Sequence, residues 1–325
     1  MTERPLFSQT IGVVMGGCSS EKEISLKTGH AIAQALKNSG CRVASIELQG
    51  HTEQEVLTLL KENHVDLVFI AMHGAFGEDG TLQAILEERH IPYTGSDSSS
   101  SRLAMNKIAT QQRLQENGIC VPEHWVVDLK PGFQKDEWVA RFNDFPIVVK
   151  PAGEGSSVGI TIVQHASELP SALDLAATFD KTILIERYIA GREITVGILG
   201  RQALAPVEIR PRNAFFDFQA KYEKGKTDYI IPAEISQTAV RSVQQEALRA
   251  FDLLRCRDFA RADFILDDRQ RAYFLEMNTI PGFTATSLLP MAARENGYSF
   301  ENLCLTILGY ALERKLKHCQ PSSPN

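Results

Sequence analysis

No apolar stretch in these 325 residues reaches the roughly 18–20 residues that a membrane-spanning helix needs. The first apolar run, IGVVMGG, is too short and too glycine-rich for the hydrophobic part of a signal peptide. Long lysine or arginine runs are missing, and the formal net charge is −6. Neither nucleic acid nor a membrane is therefore expected as a partner through bulk charge. The six cysteines, Cys18, Cys41, Cys120, Cys256, Cys304 and Cys319, form no CxxC pair, and none stands at zinc-ligand spacing from a histidine. They read as reduced thiols of a cytoplasmic protein. The glycine-rich segments match neither GxxxxGK[ST] nor GxGxxG, which argues against a P-loop and against a dinucleotide fold. What is present, 43% hydrophobic and 23% charged residues, suits a globular enzyme of two or three domains.

The first hundred residues alternate strand-like and helix-like segments. Ile11–Met15 reads as a buried strand ending at Gly16-Gly17, and Ser20 with Glu23 fits a capping box before a helix that stops near Gly40. Residues 41–48 and 66–72 read as strands, and 53–62 and 81–88 as helices. This βαβ series predicts a small doubly wound parallel sheet, an α/β fold that binds ligands at the carboxyl edge of its strands. Two segments fall at that edge. Glu21 can receive a substrate ammonium there or simply stabilise a helix N-terminus. The loop His73–Gly80 can contact a ligand or serve only as a turn and helix cap.

Further on, residues 103–117 read as one helix, 146–151 and 160–163 as strands, 171–178 as a helix and 182–185 as a strand. Residues 193–199 and 204–209 read as an antiparallel pair turned at Gly200-Arg201. Residues 211–232 lack a period and read as a long functional loop. A helix over 238–254 then precedes two strands, 260–266 and 272–278.

Those last two strands carry the strongest chemical signal. A hairpin centred between Arg269 and Gln270 sets Asp263 opposite Glu276 and Arg261 opposite Asn278, all on one face. Two carboxylates and an amide oxygen make a hard-oxygen site of the kind Mg²⁺ prefers, although a solvated sheet face with an Arg–carboxylate pair has the same composition. The loop AGEGSSVG after Lys150 offers backbone N–H groups and hydroxyls that can cover a triphosphate. Lys150 ends a buried strand, where a phosphate would supply the partner that its ammonium requires.

Taken in order, GGCSSEKEISL, HGAFGEDGTLQ, IPYTGS, KPAGEGSSVGI, the AKY of the long loop, ARADF and EMNTIPGFTATSLLP resemble the D-alanine–D-alanine ligase family of ATP-grasp enzymes, from Ile11 to about Leu312. The resemblance implies a three-lobed ATP-grasp architecture: a sheet domain over 1–103, a central lobe over 104–186 and a C-terminal lobe over 187–325, the two α+β lobes clamping ATP. It implies that Asp263, Glu276 and Asn278 hold two Mg²⁺ or Mn²⁺ ions. Lys107 and Lys150 would meet phosphates, Glu186, Arg187, Tyr188 and Ile189 would line the adenine pocket, and Glu193 would meet the ribose. Glu21 would bind the first D-alanine and form a hydrogen-bonded group with Ser156 and Tyr222. His73, Lys221, Ser287 and Leu288 would bind substrate, and Arg261 with the Gly282 N–H would stabilise an oxyanion. The activity implied is ligation of two D-alanines through an acyl phosphate, for peptidoglycan precursors, in a cytoplasmic enzyme that can be a homodimer. A different second substrate (D-serine, D-lactate or another amino acid) and a silent ATP-binding protein on the same fold are the alternatives. Asn106 departs from the acidic residue common before the family's first lysine, Phe216 and Phe218 stand where tyrosines are frequent, and Met277 is bulky between two metal ligands.

Overall fold

The computed structural model describes residues 8–130, 135–153, 158–211 and 227–318. Among these, the strands form three sheets. The first is parallel, in the order β2 (Arg42–Leu48), β1 (Thr10–Gly16), β3 (Leu67–Ile70). Alternation along β1 sends Ile11, Val13 and Met15 to one core and Val14 to another. The first core includes Ile32 and Leu36 of α1 (Lys22–Asn38). The second takes Val56 and Leu60 of α2 (Glu53–Glu62) with Leu82 and Leu86 of α3 (Thr81–Glu88). Helices on both faces make the doubly wound sheet that the sequence predicts. The capping box does not form. Glu21 takes the N-cap position without a side-chain cap bond, and the Ser19 hydroxyl accepts the Glu21 N–H at 3.3 Å instead.

The single helix expected over 103–117 is two helices, α4 (Ser98–Met105) and α5 (Lys107–Glu116). Asn106 separates them: its ψ of 96° is extended, and its side chain accepts the Ala109 N–H at 3.0 Å. Asparagine offers the backbone a bond that competes with the helix, so it ends one and starts the next. Asp97 caps α4 in the same way, which gives the serine run Ser98–Ser101 an ordinary helical role.

The second sheet is antiparallel, in the order β4 (His124–Asp128), β7 (Thr182–Arg187), β5 (Ile147–Pro151), β6 (Thr161–Val163). The sequence reading missed β4 and the short α6 (Lys135–Val139). Ile147, Val149, Ile183 and Ile185 point into a core beneath α7 (Leu169–Ala177). By the same alternation Val148, Lys150 and Glu186 face the opposite way, with Val148 directly across from Glu186.

The third sheet runs β11 (Thr227–Ile230), β10 (Val207–Pro211), β8 (Arg192–Leu199), β12 (Phe259–Leu266), β13 (Ala272–Asn278), with β9 (Gln202–Ala203) beside β8. Strand β11 lies inside the segment expected to be all loop. One sheet face packs Val196, Ala262 and Phe264 on Val243 and Ala247 of α8 (Gln237–Leu253). Two further helices, α9 (Leu288–Glu295) and α10 (Phe300–His318), return the chain to the first sheet, where Ile307 and Ala311 share the core of β1 and α1.

Candidate nucleotide and substrate site

The hairpin register is the one expected: Asp263 pairs with Glu276 and Arg261 with Asn278. A bulge follows, because Phe264 pairs with Phe274 and Leu275 is left as the extra residue. Phe274 and Met277 are buried in the core, whereas Leu275 and Glu276 both line the cavity beside Asp263 and Ile265. Leu275 therefore faces the cavity and not the core.

Arg261 grips Asp263 with two bonds, Nε to Oδ1 at 2.9 Å and Nη2 to Oδ2 at 2.7 Å. Thr195, opposite Asp263 on β8, donates to Oδ1 at 2.6 Å. The Asn278 Oδ1 accepts the Ile280 N–H at 3.0 Å and keeps a second lone pair. Lys107 lies 3.9 Å from Glu276 Oε2. Among the described residues no cluster of three or more His, Cys, Asp and Glu side chains forms a metal cage. Two carboxylates and an amide fit a hard cation that takes its other ligands from water and phosphate, as magnesium does.

A cavity of about 480 Å³ runs between the second and third sheets. Lys107, Lys150, Glu186, Tyr188, Ile189, Glu193, Asp263 and Glu276 all line it, and so does Arg187. The ammonium of Lys150 is 2.7 Å from Glu186 Oε1, with both side chains buried. Its partner is a carboxylate of the protein itself. Besides Leu275, two residues that build this cavity or hold its lining escaped the sequence reading. Gln111, one turn after Lys107 on α5, donates to Glu186. Glu208 is buried and receives both Arg192 and Arg210, a charge cluster on the cavity rim. The signal for Gln111 was its four-residue spacing from Lys107. For Leu275 it was the broken alternation of the strand.

A smaller cavity adjoins the first. Glu21, Glu78, Lys107, Glu276 and Asn278 line it, so Lys107 and Glu276 belong to both. Glu21 is buried at the carboxyl end of β1, where Ser25 accepts the Gly16 N–H and donates to the Ala71 carbonyl, each at 2.8 Å. Gly74 is needed beside it: its φ is +73°, and a Cβ there would lie 2.8 Å from Glu21 Oε2. His73 does not point freely at a substrate. Its Nδ1 is 2.9 Å from the Ile280 carbonyl and 3.3 Å from Glu78 Oε1, and its Nε2 is 3.0 Å from Thr28 Oγ1. A carbonyl only accepts, so Nδ1 carries a proton.

Burial opposes charge on His73, but the hydrogen bond and charge of Glu78, with the charge of Glu21, outweigh it and raise its pKa. Burial, with a smaller push from Glu21, drives Glu78 up to about 7 against the pull of His73. Both groups thus hold protons more tightly in the folded chain than in the unfolded one. Stability supplied by Glu78 is present at low pH and lost as pH rises from about 4.5 through 7, and that supplied by His73 is lost only as pH rises above 6.5. Between pH 5 and 8 the wild type is expected to lose about 2–3 kcal/mol relative to Glu78→Gln, read from urea unfolding of both proteins. Parallel stability curves would contradict it.

Gly282 and Ser287 lie together, a Cβ on Gly282 falling 3.3 Å from Ser287 Oγ. That hydroxyl accepts the Thr284 N–H at 3.0 Å, and Leu288 follows as the first residue of α9, packed near Ile209 and Tyr229. Ser156, Lys221 and Tyr222 lie outside the described residues, as do Phe216 and Phe218.

Two antiparallel sheets closing on a cavity lined by lysines and carboxylates, beside a doubly wound sheet, define the chain as an ATP-grasp enzyme. The family models for the D-ala D-ala ligase N-terminus and C-terminus match residues 48–96 and 114–309. The D-alanine–D-alanine ligase of Syntrophotalea carbinolica is 43% identical over 315 residues, 97% of this chain and 100% of that one. The crystal structure of D-alanine–D-alanine ligase from Bacillus anthracis complexed with ATP superposes with a TM-score of 0.83 at 32% identity, covering 95% of this chain and 99% of that one. The VanG D-Ala:D-Ser ligase from Enterococcus faecalis gives 0.79 at 29% identity, with 93% and 99% covered. The chain belongs to the D-alanine–D-alanine ligase family. No described helix is long and apolar enough to cross a membrane.

Proposed function

We propose that the protein joins two D-alanine molecules at the expense of ATP, giving D-alanyl-D-alanine, ADP and phosphate. The observation that carries this reading is the sharing of Lys107 and Glu276 by two cavities, one large enough for a nucleotide and one holding Glu21. A carboxylate substrate anchored at Glu21 by its ammonium would then have its own carboxylate beside the phosphate-binding residues.

In this reading Glu186, Tyr188 and Ile189 hold the base, Glu193 the ribose, and Lys107 and Lys150 the phosphates. Asp263, Glu276 and Asn278 hold the divalent cations, two Mg²⁺ or Mn²⁺, which neutralise phosphate charge when bound. The first D-alanine carboxylate attacks the γ-phosphorus, the bond to the β-phosphate oxygen breaks, and an acyl phosphate forms as ADP departs. The second D-alanine, held through its carboxylate by Ser287, Leu288 and Lys221, attacks the carbonyl through its amine. Arg261 and the Gly282 N–H stabilise the oxyanion, the amine gives up its proton, and phosphate leaves. Ser156 and Tyr222 join Glu21 in closing the site, and exclusion of water protects the acyl phosphate. His73 shapes the first substrate site through its bonds to Thr28, Glu78 and Ile280. We place lobe boundaries near residues 103 and 186, and the enzyme in the cytoplasm as a homodimer.

ADP and dipeptide release with D-alanine, D-serine, D-lactate and L-alanine in paired combinations tests the reading. The largest kcat/KM is expected for D-alanine in both positions. No ADP and no dipeptide with D-alanine alone would end it, and a preference for D-serine or D-lactate as second substrate would redirect it.

A further inference from the structure

Gln111 is fully buried, yet its amide oxygen has no hydrogen-bond partner among the described residues. Its amide nitrogen donates to Glu186 Oε1, the oxygen that Lys150 Nζ also approaches at 2.7 Å. A buried amide with one end unpaired is costly, and turning it over would set its oxygen against a carboxylate. The side chain is held for its donation. Both groups load Oε1 of Glu186. Glu186 lines the cavity assigned to the nucleotide, next to Tyr188 and Ile189.

We propose that Gln111 is a positioning residue for base selectivity: it holds Glu186 by Oε1 so that the carboxylate takes the exocyclic amine of a 6-aminopurine and rejects the carbonyl of a 6-oxopurine. This inference rests on the cavity being the ATP site. Lys150 cannot do the work by itself, because its ammonium lines the same cavity and is drawn towards phosphate. The neutral amide of Gln111 is not drawn off by phosphate, so its donation to Oε1 goes on holding the Glu186 carboxylate in place when that ammonium turns away. A carboxylate held there accepts from a 6-amine and sets acceptor against acceptor with a 6-carbonyl, whereas one free to turn would tell the two bases apart less well. A site that pairs buried polar groups with one substrate rejects its mismatched analogue strongly, because those groups are then left unpaired.

The test compares ATP with ITP, which carries an oxo group at position 6 and a proton on N1 of the purine, in steady-state dipeptide formation. The wild type is expected to favour ATP by at least about 10³-fold in kcat/KM. Gln111→Met, which keeps the length and the apolar packing, is expected to lower that ratio at least tenfold, mainly through KM. Gln111→Glu, which replaces the amide donor by a second carboxylate against Glu186, should lower it further. A residue that only packs the core would affect both nucleotides alike and leave the ratio in place. A wild-type ratio below tenfold overturns the proposal, and so does a folded Gln111→Met with a ratio within twofold of wild type. If the variants do not fold, purine riboside triphosphate decides on the wild type. The order ATP, then the unsubstituted purine, then ITP supports the proposal, and ITP equal to or better than the unsubstituted purine overturns it. Wild-type enzyme that makes no dipeptide from D-alanine would sink the ligase reading instead. The nucleotide ratio would then be read from binding by equilibrium dialysis.

Discussion

Glu276→Gln is expected to lower kcat by about 10²–10³-fold with little loss of stability. The side chain lies at the junction of the two cavities, opposite Asp263 and near Lys107. On the proposed reading, losing its charge removes a cation ligand together with a negative charge beside Lys107. It is only partly buried, so folding depends on it little, and the thermal midpoint should stay within a few degrees of wild type. Asp263→Ala is the instructive contrast. There turnover and stability should fall together, because Arg261 would lose a two-point partner in a largely buried place. ADP release and urea unfolding measured on both variants separate the two outcomes. A Glu276→Gln enzyme with unchanged turnover would refute the metal assignment.

The second large effect concerns Lys150 and Glu186. Each is buried against the other, so removing one charge strands its partner. Lys150→Met and Glu186→Gln are each expected to destabilise the chain by about 3–5 kcal/mol, and the double variant by much less than their sum. Glutamine at 186 keeps a carbonyl oxygen for the Gln111 amide, so that donor stays paired in the double variant. All three proteins should be poor ligases, since each lacks a residue of the nucleotide cavity. Additive losses in urea unfolding would show that the two charges do not act as a pair.

The parts of the fold that could be read from sequence are those where periodicity and local chemistry agree. The parallel βαβ series, the 261–278 hairpin and its facing carboxylates follow from period-2 alternation and a polar turn. The helix break at Asn106 was hidden, because residues 103–117 keep a continuous helical pattern while one side chain competes for the backbone. Strand β4 was missed because it is short and carries His124 and Asp128 at its ends. The bond from His73 to Ile280 spans 207 positions, and no local pattern announces it. For the same reason the sequence reading offered a phosphate to Lys150, when the fold had placed Glu186 across the adjacent strand. Residue types could be assigned to nucleotide chemistry, but the partners that hold them before any ligand arrives depend on tertiary register.

The extra residue in β13 behaves as a self-contained insertion. Upstream of it Phe274 faces the core, and downstream Met277 does so again, so sidedness is the same before and after Leu275. A chain without Leu275 would zip β12 and β13 into one unbroken ladder. Asp263 would still meet Glu276, and Arg261 would still meet Asn278. The only thing lost would be an apolar wall of the nucleotide cavity. The hairpin can thus gain or shed a cavity-lining side chain in a single step, without disturbing the carboxylates on the very next rung, and cavity shape and carboxylate pairing can drift independently along the same pair of strands.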